Sequence, residues 1–360
     1  MYGRAYPPQP APVETPGQWQ SFEHWPPQGY HDQPFYFQPN RSLSEQPAEK
    51  DSAVLKYIPS SGNQAGIWWG NIMPDQRAAD AFSLLFESDP VKKETAILGQ
   101  PVAKLLASST APHANWYIKL SDIAPDGTVT LITGAGLNGT HRNSAEQPEY
   151  LEPGKQYSLT IPLHFTSWIF EPGHRIRISV TNATWPMFWP TPYTMNTILM
   201  LGESTGSQIS LPVIPLASAE DAEKAAAYMG SRNILSKGVS SQIIRDSANK
   251  NNWPGAATIL RDELKGESTV SYTIDYKTEE LLTHITVQYR VQDEHPAEAS
   301  MKATIEMKLF HEGHLTEWKG ITEIKSDSIY FHYHHDRELY RDGKQTRQKE
   351  WKEDVKRDFQ

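Results

Sequence analysis

Between about residues 80 and 215 the chain never sustains a helical period. It runs through eight short apolar segments rich in β-branched and aromatic residues: AFSLLFES, PVAKLLASS, NWYIKLSDI, TVTLITGAG, YSLTIPLHF, RIRISVTN, NTILML and ISLPVIP. Between them stand SDP, APDG, LNGTHRNS, EPGK, EPGH and GESTGS, clusters of Pro, Gly, Asp and Asn that favour turns. Strands at this spacing predict an antiparallel sandwich, and eight of them favour a jelly roll. A cleaner alternation comes next. Val270, Tyr272, Ile274 and Tyr276 alternate with polar residues, as do Ile285, Val287, Tyr289 and Val291, then Met301, Ala303, Ile305, Met307 and Leu309. One buried face and one wet face is the pattern of an antiparallel sheet. The expected fold class is therefore mainly β, a jelly-roll β-sandwich followed by a second, smaller antiparallel β domain.

A length of 360 residues suits two such domains. The first 40 residues hold 9 of the 27 prolines, so they form no regular core. Trp19, Phe22, Trp25, Tyr30, Phe35, Tyr36 and Phe37 lie among those prolines, a density foreign to a solvated linker. This reading expects an extended Pro/aromatic arm over 1–50, laid on an apolar surface of this chain or another. The jelly roll is expected over 51–216, and the second β domain over 256–360. Between them, 217–255 reads as helix and linker, with the helix at Ala217 to Gly230, where Ser218 can cap and a glycine stops it.

Charge and composition exclude several functions. Lys and Arg number 34 against 43 Asp and Glu, a net charge of −9, which disfavours a nucleic-acid partner. There is no cysteine, hence no disulfide frame, thiolate metal site or thiol nucleophile. No apolar run approaches the roughly 20 residues that cross a bilayer, and the opening MYGRAYPPQPAP lacks the layout of a signal peptide. A soluble, cytoplasmic protein without a membrane partner is expected.

Few residues in the chain nominate chemistry. A strand, a G-x-S-x-G elbow and a helix would mark an α/β-hydrolase serine; G-x-S-x-G is read as absent from the whole chain, as are a G-x-G-x-x-G after a strand, a P-loop and H-E-x-x-H. His332, His334 and His335 in FHYHHD, with His311 and His314, raise the question of zinc. The apolar residues Ile329, Phe331 and Tyr333 between them favour solvated histidines on the wet side of a strand, and no metal or cofactor is expected. The paired carboxylates Glu279/Glu280, Glu353/Asp354 and Asp221/Glu223 fall in polar stretches and nominate no catalytic acid. The closing RDGKQTRQKEWKEDVKRDFQ reads as a charged surface strand around Trp351. Trp68 and Trp69, bounded by Gly66 and Gly70, and the loop WPMFWPTPY (Trp185 to Tyr193) are aromatic features that can pack or can line a pocket.

Longer stretches resemble a known family. Pro74 to Gly127, Leu137 to Ser144 (LNGTHRNS) and Leu151 to Pro190, with D-Q-R, L-S-D-x-x-P-D-G and F-x-P-G-H-R-I-R inside them, resemble the C-terminal region of CocE/NonD hydrolases, relatives of X-prolyl dipeptidyl-peptidases of peptidase family S15. PVETPGQWQSFEHWPP resembles the segment that follows the catalytic domain there. RDELKGESTVSY, DEHPAEASMKATIEMKL and the closing WKEDVKRDFQ resemble a second β domain of some bacterial members.

The resemblance implies a jelly roll similar to galactose-binding domains, and a serine hydrolase acting on ester or amide bonds. It also implies that the Ser, Asp and His belong to an α/β-hydrolase domain whose motifs match no position here, so no catalytic residue is transferred, and His174 is read as structural. The loop entering the jelly roll approaches the active-site mouth in such hydrolases, which makes Ile67, Trp68 and Trp69 candidates for one wall of an acyl pocket. An α/β-hydrolase domain or subunit is the implied partner, with self-association where it is missing. A free-standing carbohydrate or small-ligand module built on the aromatic loops is the alternative, and an inert remnant the third reading.

Overall fold

A computed structural model describes residues 20–63, 75–216, 223–224, 256–262 and 265–360. The described residues form strands in three antiparallel sheets. Contacts divide the chain into two units, Met1–Thr184 with Met195–Val239, and Trp185–Thr194 with Ser240–Gln360.

In the first unit, β1 (His31–Phe37), β2 (Leu43–Ser44), β3 (Asp51–Lys56), β5 (Thr95–Gly99), β6 (Val102–Ser109), β9 (Tyr157–Pro162), β10 (Thr166–Phe170), β12 (Asn196–Leu201) and β13 (Gln208–Ile214) make a nine-stranded sheet. A four-stranded sheet in the order β4, β11, β7, β8 is formed by β4 (Leu84–Glu87), β7 (Asn115–Ile123), β8 (Val129–Asn138) and β11 (Arg175–Thr181). Each of the eight apolar segments named above supplies one of these strands. The two sheets share a core, where Phe37 of β1 stacks on Phe86 of β4 with centroids 4.5 Å apart. Burying both rings completely removes a large apolar area from water.

Part of the arm is thus a strand. β1 pairs antiparallel with β13 from His31 to Tyr36 and with β2 at its far end. Pro34 sits within it, which a strand at the margin of a sheet tolerates. The helix reading at Ala217 to Gly230 lies outside the described residues except at Glu223 and Lys224, which are helical.

The second unit is one meander of long strands: β14 (Ala256–Asp262), β15 (Glu267–Lys277), β16 (Leu281–Gln292), β17 (Ser300–His311), β18 (His314–Ser326), β19 (Tyr330–Arg341) and β20 (Lys344–Lys356), each paired with the next. The segment Trp185–Thr194, which connects β11 to β12 in sequence, goes with this unit. Trp185 is fully buried, edge-on to Trp189 and Tyr289. Trp189 meets Phe331 edge-on and donates its indole N–H to Ser326 at 2.9 Å. The aromatic platform that the sequence allowed here is instead core of the seven-stranded unit.

Candidate functional site

Ile67, Trp68 and Trp69 lie outside the described residues. The remaining sequence candidates can be traced atom by atom, beginning with the motifs that carry the resemblance.

In D-Q-R, Asp75 caps the short helix α1 (Gln76–Ala79) by accepting from the Arg77 amide, and its carboxylate takes Arg77 side-chain N–H groups at 2.6 to 3.1 Å. Gln76 is fully buried and accepts from Lys119 Nζ at 3.1 Å; Lys119 also forms an ion pair with the fully buried Asp80. Arg177 lies 3.8 Å from the same carboxylate and shares Glu87 with Arg175, at 2.6 Å each. These charges occupy the face of the four-stranded sheet opposite its apolar side, where Ile118, Leu120, Ile178 and Val180 are buried. Lys119 and Asp80, the most deeply buried of these charges, need partners and have each other.

L-S-D-x-x-P-D-G and F-x-P-G-H-R-I-R meet in a second cluster. Asp122 accepts from Trp168 Nε1 at 2.8 Å and is 2.8 Å from His174 Nδ1. Burial pushes the Asp122 carboxyl above its ordinary range, against the opposing pull of the Trp168 and His174 bonds. A catalytic histidine carries an acid on one nitrogen and a nucleophile on the other. His174 has a carboxylate on both sides, since its Nε2 lies 3.9 Å from Glu171. The cluster pins β7, β10 and the turn before β11 together.

One spelling read as absent is in fact present, and a second occurs inside a strand. GESTG, Gly202 to Gly206, satisfies G-x-S-x-G. It joins β12 to β13, which follow one another in the same direction along β6, with the Gly206 amide bonded to the Glu203 carbonyl at 2.9 Å, and the next element is the strand β13. Ser204 is exposed at that tip rather than set on a strand-to-helix elbow. GAGLNG, Gly134 to Gly139, satisfies G-x-G-x-x-G. Gly134 and Gly136 lie inside β8, which leads into a single 3-10 turn, Gly139–His141. A Cβ on Gly136 would stand 2.4 Å from the Tyr117 ring, and one on Gly139 2.5 Å from the Trp116 ring. These glycines admit aromatic rings, whereas a dinucleotide loop uses them to admit phosphate.

The histidines are spread over both faces of the last strands. His332 and His334 share a face, as their spacing predicts, and His335 takes the opposite one beside Trp351 at 5.2 Å. His332 is held through both nitrogens, by Asp354 at 2.7 Å and Asp327 at 3.0 Å, and His334 Nε2 meets Glu350 at 2.9 Å. Among the described residues no cluster of three or more His, Asp or Glu is arranged to hold a metal ion. No helix among them is long and apolar enough to cross a membrane.

An exposed aromatic patch is the feature of the first unit that motif reasoning did not isolate. Trp25 and Phe165, 56% and 62% exposed, lie 5.9 Å apart, and Trp25 is 6.2 Å from Tyr30. Tyr30, Phe22, Leu98 and Ile169 continue the patch onto buried Ala96 and Ile214. The aromatic density of the arm was its sequence signal, and Phe165 closes the apolar segment YSLTIPLHF, which gave no sign of exposure.

Residues 5–237 match the family described as X-Pro dipeptidyl-peptidase C-terminal non-catalytic domain. A Mycobacterium bovis protein bearing a serine-esterase name is 30% identical over 224 residues, 54% of this chain and 36% of that protein. The cocaine esterase of a Rhodococcus species is 31% identical over 101 residues, 28% of this chain and 17% of the enzyme. Among solved structures, an aminopeptidase from a Thaumarchaeota archaeon covers 55% of this chain and 39% of its own at 24% identity and TM-score 0.49. The chain thus spans little more than a third of the length of the curated relatives it matches. By the extent of the family match, the chain belongs to the X-Pro dipeptidyl-peptidase C-terminal non-catalytic domain family found in CocE/NonD-type hydrolases.

Proposed function

We propose that this chain is the accessory part of a CocE/NonD-type serine hydrolase acting on ester or amide bonds, and that the nucleophile belongs to a catalytic domain carried elsewhere. The Trp25/Phe165 patch supports this reading best. Two large rings more than half exposed and touching each other are costly to leave in water, and such patches mark contact surfaces. In this reading the catalytic domain covers the patch, and Ile67, Trp68 and Trp69 form one wall of its acyl pocket. The partner's serine attacks the carbonyl through an acyl-enzyme, with its own His and Asp as base and orienter.

The isolated chain is expected to bind a hydrophobic dye, to self-associate, and to remain unlabelled by a fluorophosphonate. Trp25→Ser with Phe165→Ser should remove most of the dye signal. Stoichiometric labelling, abolished by Ser204→Ala, would place the nucleophile on this chain and defeat the reading. A dye-silent monomer would remove the docking surface.

A further inference from the structure

The seven-stranded sheet sorts its charges by face. On one face Lys302 pairs with Glu323 at 3.0 Å, Lys308 with Glu317 at 3.2 Å and Lys352 with Glu350 at 2.8 Å, so the cations are neutralised locally. The pairing register puts a different sequence of groups on the other face. One row runs Ile285, Ile305, Gly320, Arg337, Lys349 across β16 to β20, and the next runs Thr283, Met307, Trp318, Leu339, Arg347. The first row passes from two isoleucines at β16 and β17 to Arg337 and Lys349 at β19 and β20, and the second passes from Met307 and Trp318 through Leu339 to Arg347 at β20.

Trp185 and Trp189 cover this face at one end, around Tyr289 and Phe331. At the other end the face opens as a groove of about 410 Å³ lined by Trp318, Arg337, Leu339, Arg347, Gln348 and Lys349. Arg337 stands over the rings of both Trp318 and Trp351, at 5.3 and 5.5 Å, and Lys349 lies over Trp351 at 4.5 Å. Gly320, opposite Arg337 in the register, leaves a notch that a larger side chain would fill; a Cβ there would meet Ile305 at 3.0 Å. Among the described residues no carboxylate pairs with Arg337, Arg347 or Lys349 within 4.0 Å, in a chain of net charge −9. Glu353, beside Tyr333, is the acidic residue of this face on β15 to β20.

We propose that this groove binds a long-chain carboxylate, its head on Arg337, Arg347 and Lys349 and its tail laid across the strands over Trp318, Met307 and Ile305. A guanidinium already stacked on two indoles is pre-set to receive a carboxylate in bidentate fashion. The distance from β20 to β16 is four strand spacings, about 19 Å, room for an extended acyl chain. The site is independent of the hydrolase reading.

The test uses the full chain and dodecanoate below its micelle concentration, monitored by calorimetry and tryptophan emission. Saturable binding of one dodecanoate is expected, with acetate inactive and dodecyltrimethylammonium, the same tail with the opposite charge, at least about tenfold weaker. Arg337→Gln with Arg347→Gln and Lys349→Gln should weaken dodecanoate by at least about tenfold while leaving the far-ultraviolet dichroism unchanged. Equal affinity for the two charge-opposed probes on the unaltered chain would overturn the proposal without any variant. So would binding to anionic phosphatidylglycerol vesicles without binding of monomeric dodecanoate.

Discussion

Gly136 shows how tightly one residue can be specified. Its absent side chain is the space that Tyr117 occupies on the neighbouring strand, and Tyr117 is itself buried. Gly136→Ala is expected to lower stability by about 1–3 kcal/mol, read as a fall in the denaturant midpoint at unchanged m-value. His332 offers a test by pH. Hydrogen bonds to Asp354 and then Asp327 hold its pKa above the ordinary 6.5. A raised histidine stabilises the fold fully below its unfolded value, and this contribution fades as pH rises through the folded one. Asp327 has the opposite sign. The Tyr330 and Ile329 amides, with His332, push it down to about 2, so its contribution is present above 3.8 and lost as pH falls through about 2. In an NMR titration His332 should protonate at higher pH than a free histidine, and Asp354→Asn should bring its midpoint down. No change in Asp354→Asn would disprove the pairing.

At the scale of elements, α1, β4, β7 and β11 are tied by the Gln76, Asp80, Glu87, Lys119 and Arg177 cluster. Among the described residues, Lys119→Ala leaves the buried Asp80 carboxylate with the more distant Arg177 alone as cation, and is expected to cost about 3–5 kcal/mol in thermal or chemical unfolding. Pairing it with Asp80→Leu should recover much of that loss. The strands that sequence could reveal were those with apolar runs between turn clusters. β5 (TAILG) and β10 (TSWIF) are five residues each, too short to show a period beside their neighbours, and β1 was hidden by Pro34. The spellings GESTG and GAGLNG signify little by themselves, because they acquire their meaning from the next element in the chain, a strand in one case and a 3-10 turn in the other. The cationic groove was invisible because β20 looks balanced in linear order. Alternation then sends Arg347 and Lys349 to one face and Glu350 and Asp354 to the other.

At the scale of the whole molecule, the sequence divides the chain in linear order, and contacts divide it differently. Trp185–Thr194 leaves the first unit between β11 and β12 and supplies core to the second. Besides the Trp185 and Trp189 rings, its Pro190 carbonyl accepts from Arg357 at 2.6 Å, three residues from the C-terminal Gln360. Nothing in WPMFWPTPY announces this, since the partners Tyr289, Phe331 and Arg357 are more than 90 residues away in sequence. Trp185→Ala is expected to cost about 3–5 kcal/mol. Hydrogen-exchange protection should fall in β15 to β17 more than in β7 and β11; a loss concentrated in β7 and β11 would assign the indole to the wrong core.

The seven-stranded unit is consequently discontinuous in the gene. A chimera joined at a single crossover near residue 250 would inherit the meander and leave its tryptophan plug behind on the donor fragment. Shuffling or excising this module therefore requires two cuts, with the decapeptide carried along as its second exon-like piece.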